Sequence, residues 1–177
     1  AGLGLECYLF DVLRLGPGIA AITSFLQSTE RLKFIHDLKM DAAALSAQFG
    51  IHLCGVVDTQ LAFEVATAKV FGGMSAVLEW CGVAQHETKQ EVHRMMDLDP
   101  LLWKQRPLSE KLIAYAAQDV SLLYLAVPVV QQKLSNLLEG MVGGTAFDMV
   151  FRASQTRATK ARSLGDRRWI AFDREHA

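Results

Sequence analysis

Trp103 to Leu125 reads WKQRPLSEKLIAYAAQDVSLLYL. Tyr115 and Asp119 stand four residues apart in it, so on a helix both project from the same face. Pro107 sits just ahead of the first turn and Ser109 offers an N-cap. Leu112, Ile113, Ala116, Ala117, Val120 and Leu123 then make an apolar stripe at helical spacing. The stretch therefore predicts one helix that begins after Ser109. A tyrosine hydroxyl and a carboxylate one turn apart suit a site in which one group holds a metal and the other positions a water. The same spacing also fits a half-buried aromatic beside a solvated acid, so spacing alone assigns no site.

Downstream, the apolar run continues to Leu138, with Pro128 allowing a break or kink. Gly140, Gly143 and Gly144 close the body, and residues 145–177 show weaker periodicity. Upstream, Cys7 to Leu13 (CYLFDVL) is apolar and aromatic and predicts a buried strand, broken by Gly16-Pro17-Gly18. Ile19 to Gln27 predicts a short helix. Leu32 to His36 predicts a second strand, followed by a helix of about ten residues closed by Gly50. Val56 to Thr59 ends a third strand, and Asp58 caps the helix that runs on to about Ala68. Ser75 to Trp80 and Glu87 to Met96 predict two more helices, the latter carrying Lys89, His93 and Arg94. This alternation implies an α/β layered domain with a partly parallel sheet.

Composition narrows the class. With 177 residues, 51% hydrophobic and 21% charged, the chain is long enough for one ordinary domain with a core. Its longest apolar candidate, Leu122 to Val130, is interrupted by Pro128, so no membrane span is expected. Cys7, Cys54 and Cys81 lack pairing spacing and read as buried thiols of a reducing, intracellular compartment, cytoplasm or nucleus. The chain begins at Ala1, so targeting is not readable. His52, Cys54, Cys81 and His86 match no zinc-finger pattern. Gly2-Leu3-Gly4 is no dinucleotide fingerprint.

The net charge of −1 is unevenly spread. Residues 152–177 carry seven Arg or Lys against three acids, and the first 151 carry 11 basic and 16 acidic residues. An acidic body suits metal carboxylates, whereas a basic tail suits phosphates or is a solvated terminus. Residues 1–140 are accordingly read as the domain and 141–177 as a basic tail. Arg157, Lys160 and Arg162 in that tail are candidate phosphate contacts. So is Arg106, which alternatively pairs with an acid to fix the start of the central helix.

The pattern W..RPLSE....YAAQDV resembles the third motif of RNase D-like 3′–5′ exonucleases, in the branch whose motif carries a tyrosine. KFIHDLKMDAAALSAQFGI is similar to that family's second motif, and VVDTQLA, outside that motif, is similar to the family as well. The resemblance runs from about Cys7 to Leu138, and the HDxxxD and DPxxWxxRPL forms bring it close to the Egalitarian-like subgroup. It implies a ribonuclease H-like mixed sheet flanked by helices. It also implies a hydrolase that shortens nucleic acid, RNA in preference to DNA, using two divalent ions, Mg²⁺ or Mn²⁺. Asp41 and Asp119 would bind metal, and Tyr115 would position the water. Two readings of His36-Asp37-Asp41 stay beside this one. Either acid can simply cap the helix, and His36-Asp37 also resembles the HD phosphohydrolase pair, whose sites lie on helices with further partners.

The family's first motif, Asp-x-Glu, has no counterpart here. Gly4-Leu5-Glu6 places glycine where the aspartate belongs, and Glu6 is read as a chance match. By the resemblance, two strands expected between Tyr8–Val12 and Phe34–His36 are missing, as in a truncated chain. Two carboxylates are then expected to hold one ion weakly and not two, because closely spaced dications need several carboxylates. Two functions remain: an exonuclease, and a catalytically degenerate module that binds nucleic acid or a protein partner. Asp-x-Glu upstream would favour the first.

Overall fold

The computed structural model describes residues 6–85, 87–137 and 145–176. His86, Gly2-Leu3-Gly4 and the glycines at 140, 143 and 144 lie outside them, as do the side chains beyond Ser163. Helices dominate: α1 (Val12–Leu15), α2 (Ala20–Gln27), α3 (Lys39–Phe49), α4 (Thr59–Thr67), α5 (Met74–Cys81), α6 (Lys89–Leu98), α7 (Glu110–Asn136) and α8 (Ala146–His176). Short 3₁₀ turns lie at Gly16–Ile19 and Leu102–Lys104. Two parallel strands, β1 (Lys33–Ile35) and β2 (Val56–Asp58), pair Lys33 with Val56, Phe34 with Val57 and Ile35 with Asp58. The unit is right for an α/β crossover, with α3 as the connecting helix.

The expected strand over Cys7 to Leu13 does not form. Residues 6–11 have no regular structure, Val12–Leu15 is helical, and Tyr8 is 72% exposed. A strand needs a neighbour to satisfy its backbone, and among the described residues the sheet has only two members, β1 and β2. The mixed sheet is thus a small parallel one, and Cys7 is exposed, not buried.

The segment read as a basic tail contains a helix. Residues from Ala146 form the long helix α8, which packs on α3, α4, α7 and β2. Among the described residues its buried positions are Ala146, Val150, Ser154, Ala158 and Ala161. Ala158 and Ala161 meet Leu38, Ala42, Ala43, Leu53 and Val56, so small residues from both helices allow a close α3–α8 approach. The main core joins Val57, Phe63, Val77, Leu78, Leu122, Ala126, Val130 and Leu134 with the start of α8. Each fully buried Leu or Val there contributes roughly 1.5–3 kcal/mol.

Helix α7 organises the molecule. Ser109 Oγ accepts from Leu112 N, as an N-cap should. Its buried stripe is Leu112, Tyr115, Leu122, Ala126, Val130 and Leu134. This differs from the expected stripe, since Ile113 and Val120 are exposed. Pro128 lies within the helix without ending it, at an exposed position where the lost backbone donor is cheap. By length and composition α7 is long and apolar enough to cross a membrane, contrary to expectation. Its apolar residues are divided between the core and two open clefts.

Candidate active site

Asp41, Tyr115 and Asp119 line one cleft of about 800 Å³, together with His36, Lys89 and His93. Apolar walls come from Leu32, Phe34, Val120, Leu123 and Tyr124. That size falls within the range of small-molecule and cofactor sites.

Asp58 explains how Asp41 reaches the cleft. This carboxylate is fully buried at the end of β2. It accepts from Gln60 N (2.9 Å) at the start of α4, and from Asp37 N (3.0 Å) and Leu38 N (3.2 Å) ahead of α3. One acid therefore caps the entry of two helices. Its charge is met by Arg157 Nη1 at 2.7 Å, and Ser154 Oγ accepts from Asp58 N at 2.9 Å. The left-handed backbone at Asp37 (φ 49°) and the helical start at Lys39 then place Asp41 in the first turn of α3. Asp41 keeps access to solvent, yet surrounding protein holds its carboxyl above the usual value, with Asp37 and Asp58 adding to the rise. His36 bonds Thr59 Oγ1 through Nδ1 at 3.1 Å, and burial lowers its pKa despite the opposing pull of Asp58 and Asp37.

Tyr115 and Asp119 lie one turn apart on α7, as their spacing predicts. Tyr115 is 8% exposed, and its hydroxyl hydrogen-bonds the Asp119 carboxylate. Burial first, then the Asp119 charge and that hydrogen bond, push the phenol above its ordinary value. Trp103 packs 6.3 Å from the Tyr115 ring, and His93 Nε2 lies 3.2 Å from its hydroxyl.

The four cationic candidates do not join this cleft. Arg106 forms a two-point pair with Asp11, Nε to Oδ2 and Nη2 to Oδ1 each at 2.7 Å. It also donates to the carbonyls of Trp103 and Gln105, so it fixes the start of α7. Arg157 is engaged by Asp58, Gln60, Asp37 and Glu64. Lys160 and Arg162 lie on α8, away from the cleft lining. Lys89 is the cleft cation that sequence reasoning did not assign. Its Nζ donates to Ser75 Oγ at 3.0 Å, and it is one turn from His93 on α6. The i, i+4 spacing of Lys89 and His93 was the available signal.

Asp41 and Asp119 are hard oxygen donors suited to a cation such as Mg²⁺ or Mn²⁺. No cluster of three or more His, Cys, Asp or Glu that could hold a metal occurs among the described residues. Two carboxylates line the cleft, fewer than the several that two closely spaced dications need.

A family model described as 3′–5′ exonuclease matches residues 3–139. Ribonuclease D of Gluconacetobacter diazotrophicus is 29% identical over 144 residues, covering 81% of this chain and 34% of that protein. Ribonuclease D of Xanthomonas oryzae is 32% identical over 127 residues, covering 69% of this chain and 31% of that one. Among solved structures, Trypanosoma brucei RNase D superposes with a TM-score of 0.73 at 28% identity, covering 87% of this chain and 53% of that chain. Its complex with RNA U12 gives 0.70 at 28% identity, with 87% and 51% covered. The chain thus spans about a third of these bacterial relatives and about half of the trypanosome structure.

Proposed function

Because the chain belongs to the 3′–5′ exonuclease family and has a ribonuclease H-like fold related to RNase D, we propose that its cleft takes the 3′ end of an RNA strand and hydrolyses the terminal phosphodiester. The observation that carries this reading is the convergence of Asp41, Asp119 and Tyr115 on one cleft from two separate helices. The family uses divalent cations generally; here Mg²⁺ or Mn²⁺ would be held by Asp41 and Asp119. When bound, such an ion supplies charge stabilisation at the phosphoryl oxygens and a more acidic water.

The chain's own residues do the rest. Asp119 would serve two tasks, accepting from the Tyr115 hydroxyl and, as a lining residue of the cleft, holding the cation. Tyr115 remains a neutral phenol at physiological pH, so it orients a water by hydrogen bonding and does not remove its proton. Lys89 places positive charge inside the cleft, where a phosphate would enter. His36, neutral at pH 7, offers a hydrogen-bonding ring without adding charge. The apolar wall of Phe34, Val120, Leu123 and Tyr124 suits the face of a terminal base.

A second reading is a module that binds nucleic acid, or a protein partner, without turnover. It is favoured by the absence of a third metal-ligating carboxylate in the cleft among the described residues. One assay separates the two. A 5′-labelled single-stranded RNA incubated with the chain and Mn²⁺ should shorten stepwise from its 3′ end. Asp119→Asn should abolish the shortening while leaving the circular dichroism spectrum unchanged. Retained binding without shortening in the unaltered chain would favour the second reading. Undiminished shortening by Asp119→Asn would refute the role given to that acid.

A further inference from the structure

His93 has no part in the function proposed above, yet it occupies a defined position beside the site. It lies on α6, 22 residues ahead of Tyr115, and its Nε2 stands 3.2 Å from the Tyr115 hydroxyl. The rings are 6.4 Å apart at 58°, so contact is through the ring nitrogen and not by stacking. Three features hold α6 in place. Val92, the preceding residue, is fully buried against Leu102, Leu112 and Tyr115. Trp103 Nε1 donates to Met96 Sδ at 3.1 Å. Glu91 pairs with Lys111 at the start of α7.

A phenol hydroxyl has one proton to give and lone pairs to accept with. Tyr115 is hydrogen-bonded to the Asp119 carboxylate, which can only accept, so the phenol proton points to Asp119. The Tyr115 oxygen must then accept from His93, which places the imidazole proton on Nε2. If a cation draws on the Asp119 oxygens, the hydroxyl is left short of an acceptor. The other neutral tautomer of His93, with its proton on Nδ1, supplies one at Nε2 without any change of charge. In both arrangements the hydroxyl is held between α6 and α7 at the cleft.

We propose that His93 is a positioning residue that holds the Tyr115 hydroxyl, donating to it while Asp119 accepts from the phenol and accepting from it when Asp119 binds a cation. This rests on the reading of Tyr115 as the water-orienting group. It does not require His93 to touch substrate or metal. It also explains why the helix that brings Lys89 to the cleft carries an imidazole one turn later.

The chain has only three tyrosines, Tyr8, Tyr115 and Tyr124, so Cζ-labelled tyrosine gives a spectrum that can be assigned with Tyr115→Phe. His93→Ala should move the Tyr115 signal and leave that of Tyr124 in place. His93→Gln, whose amide nitrogen falls near the position of Nε2, should return it most of the way. Long-range nitrogen–proton correlation should show His93 protonated at Nε2 in the metal-free chain and at Nδ1 with saturating Mg²⁺. In the Mn²⁺-dependent RNA assay, His93→Ala should lower kcat about tenfold with KM unchanged, and His93→Gln should recover most of the loss. A Tyr115 signal unmoved by His93→Ala, in a variant with unchanged circular dichroism, would overturn the proposal. So would a His93→Gln spectrum no different from that of His93→Ala. If the unaltered chain hydrolyses no RNA, the exonuclease reading fails by itself, while the tyrosine and histidine signals still decide the His93 contact.

Discussion

Single side chains set the chemistry, and three of them make separate predictions. Tyr115→Phe removes the hydroxyl and keeps the ring packed against Trp103. It should lower RNA hydrolysis by about 10²-fold with little change in thermal midpoint. Asp41 carries a carboxyl held above its unfolded value by its surroundings. A raised acid pKa means the folded state binds the proton more tightly, so stability falls as pH rises through that pKa. Asp41→Asn should therefore raise the thermal midpoint at pH 7, and the gain should vanish below about pH 4. An unchanged midpoint at both pH values would show that the acid is not strained there. Asp11 behaves oppositely. Hydrogen bonding to Arg106 lowers its pKa to about 2, so its contribution is complete above the unfolded value near 3.8 and is lost as pH falls towards 2. Asp11→Asn should flatten the acid-unfolding curve between about pH 4 and 2, and leave its shape above pH 5 unaltered. Tyr115, Asp119 and Asp41 were singled out through the motifs they stand in and not through spacing alone, and the structure brings the three to one cleft. The spacing could not show that Arg157 lies against Asp58, because 99 residues separate them.

At the level of elements, legibility followed hydrophobic contrast. The segments around Gly50, Asp58 and Ser109 form as their capping residues predict: Gly50 adopts φ 63° at the end of α3, and Asp58 and Ser109 cap α4 and α7. Helix α8 was obscured because its buried face is Ala, Val, Ser, Ala, Ala, a pattern with little hydropathy contrast. That face predicts its own sensitivity. Ala158→Leu forces a larger side chain between α3 and α8 and should cost about 1–3 kcal/mol in urea unfolding, whereas Thr159→Leu on the exposed side should cost little. The Cys7 to Leu13 segment misled for another reason. Its composition is that of a strand, but strand formation depends on a partner that lies elsewhere in the chain, and no local pattern reports one. The same dependence fixes Gly55, whose φ is +59° and where a Cβ would stand 2.7 Å from Ser28 O and 2.8 Å from Arg31 O. Its neighbour Lys33 donates to these carbonyls and to that of Phe25, so loop and strand start lock together.

Across the whole molecule, α7 divides the chain into a packed side and an open side. On the packed side its Leu122–Leu134 stripe joins α4, α5 and α8. On the open side it walls the cleft with Asp119, Tyr115 and Val120, and a second cleft of about 590 Å³ with Leu112, Ile113 and Ala116. In the function proposed above, Asp41 and Asp119, brought from α3 and α7, form a working cation site. Calorimetric titration of Mn²⁺ into the purified chain, beside the Asp41→Asn/Asp119→Asn double variant, tests it most directly. Weak, saturable binding of one ion that disappears in the variant is expected. Binding that survives in the variant, or none to a chain verified as folded, would contradict it.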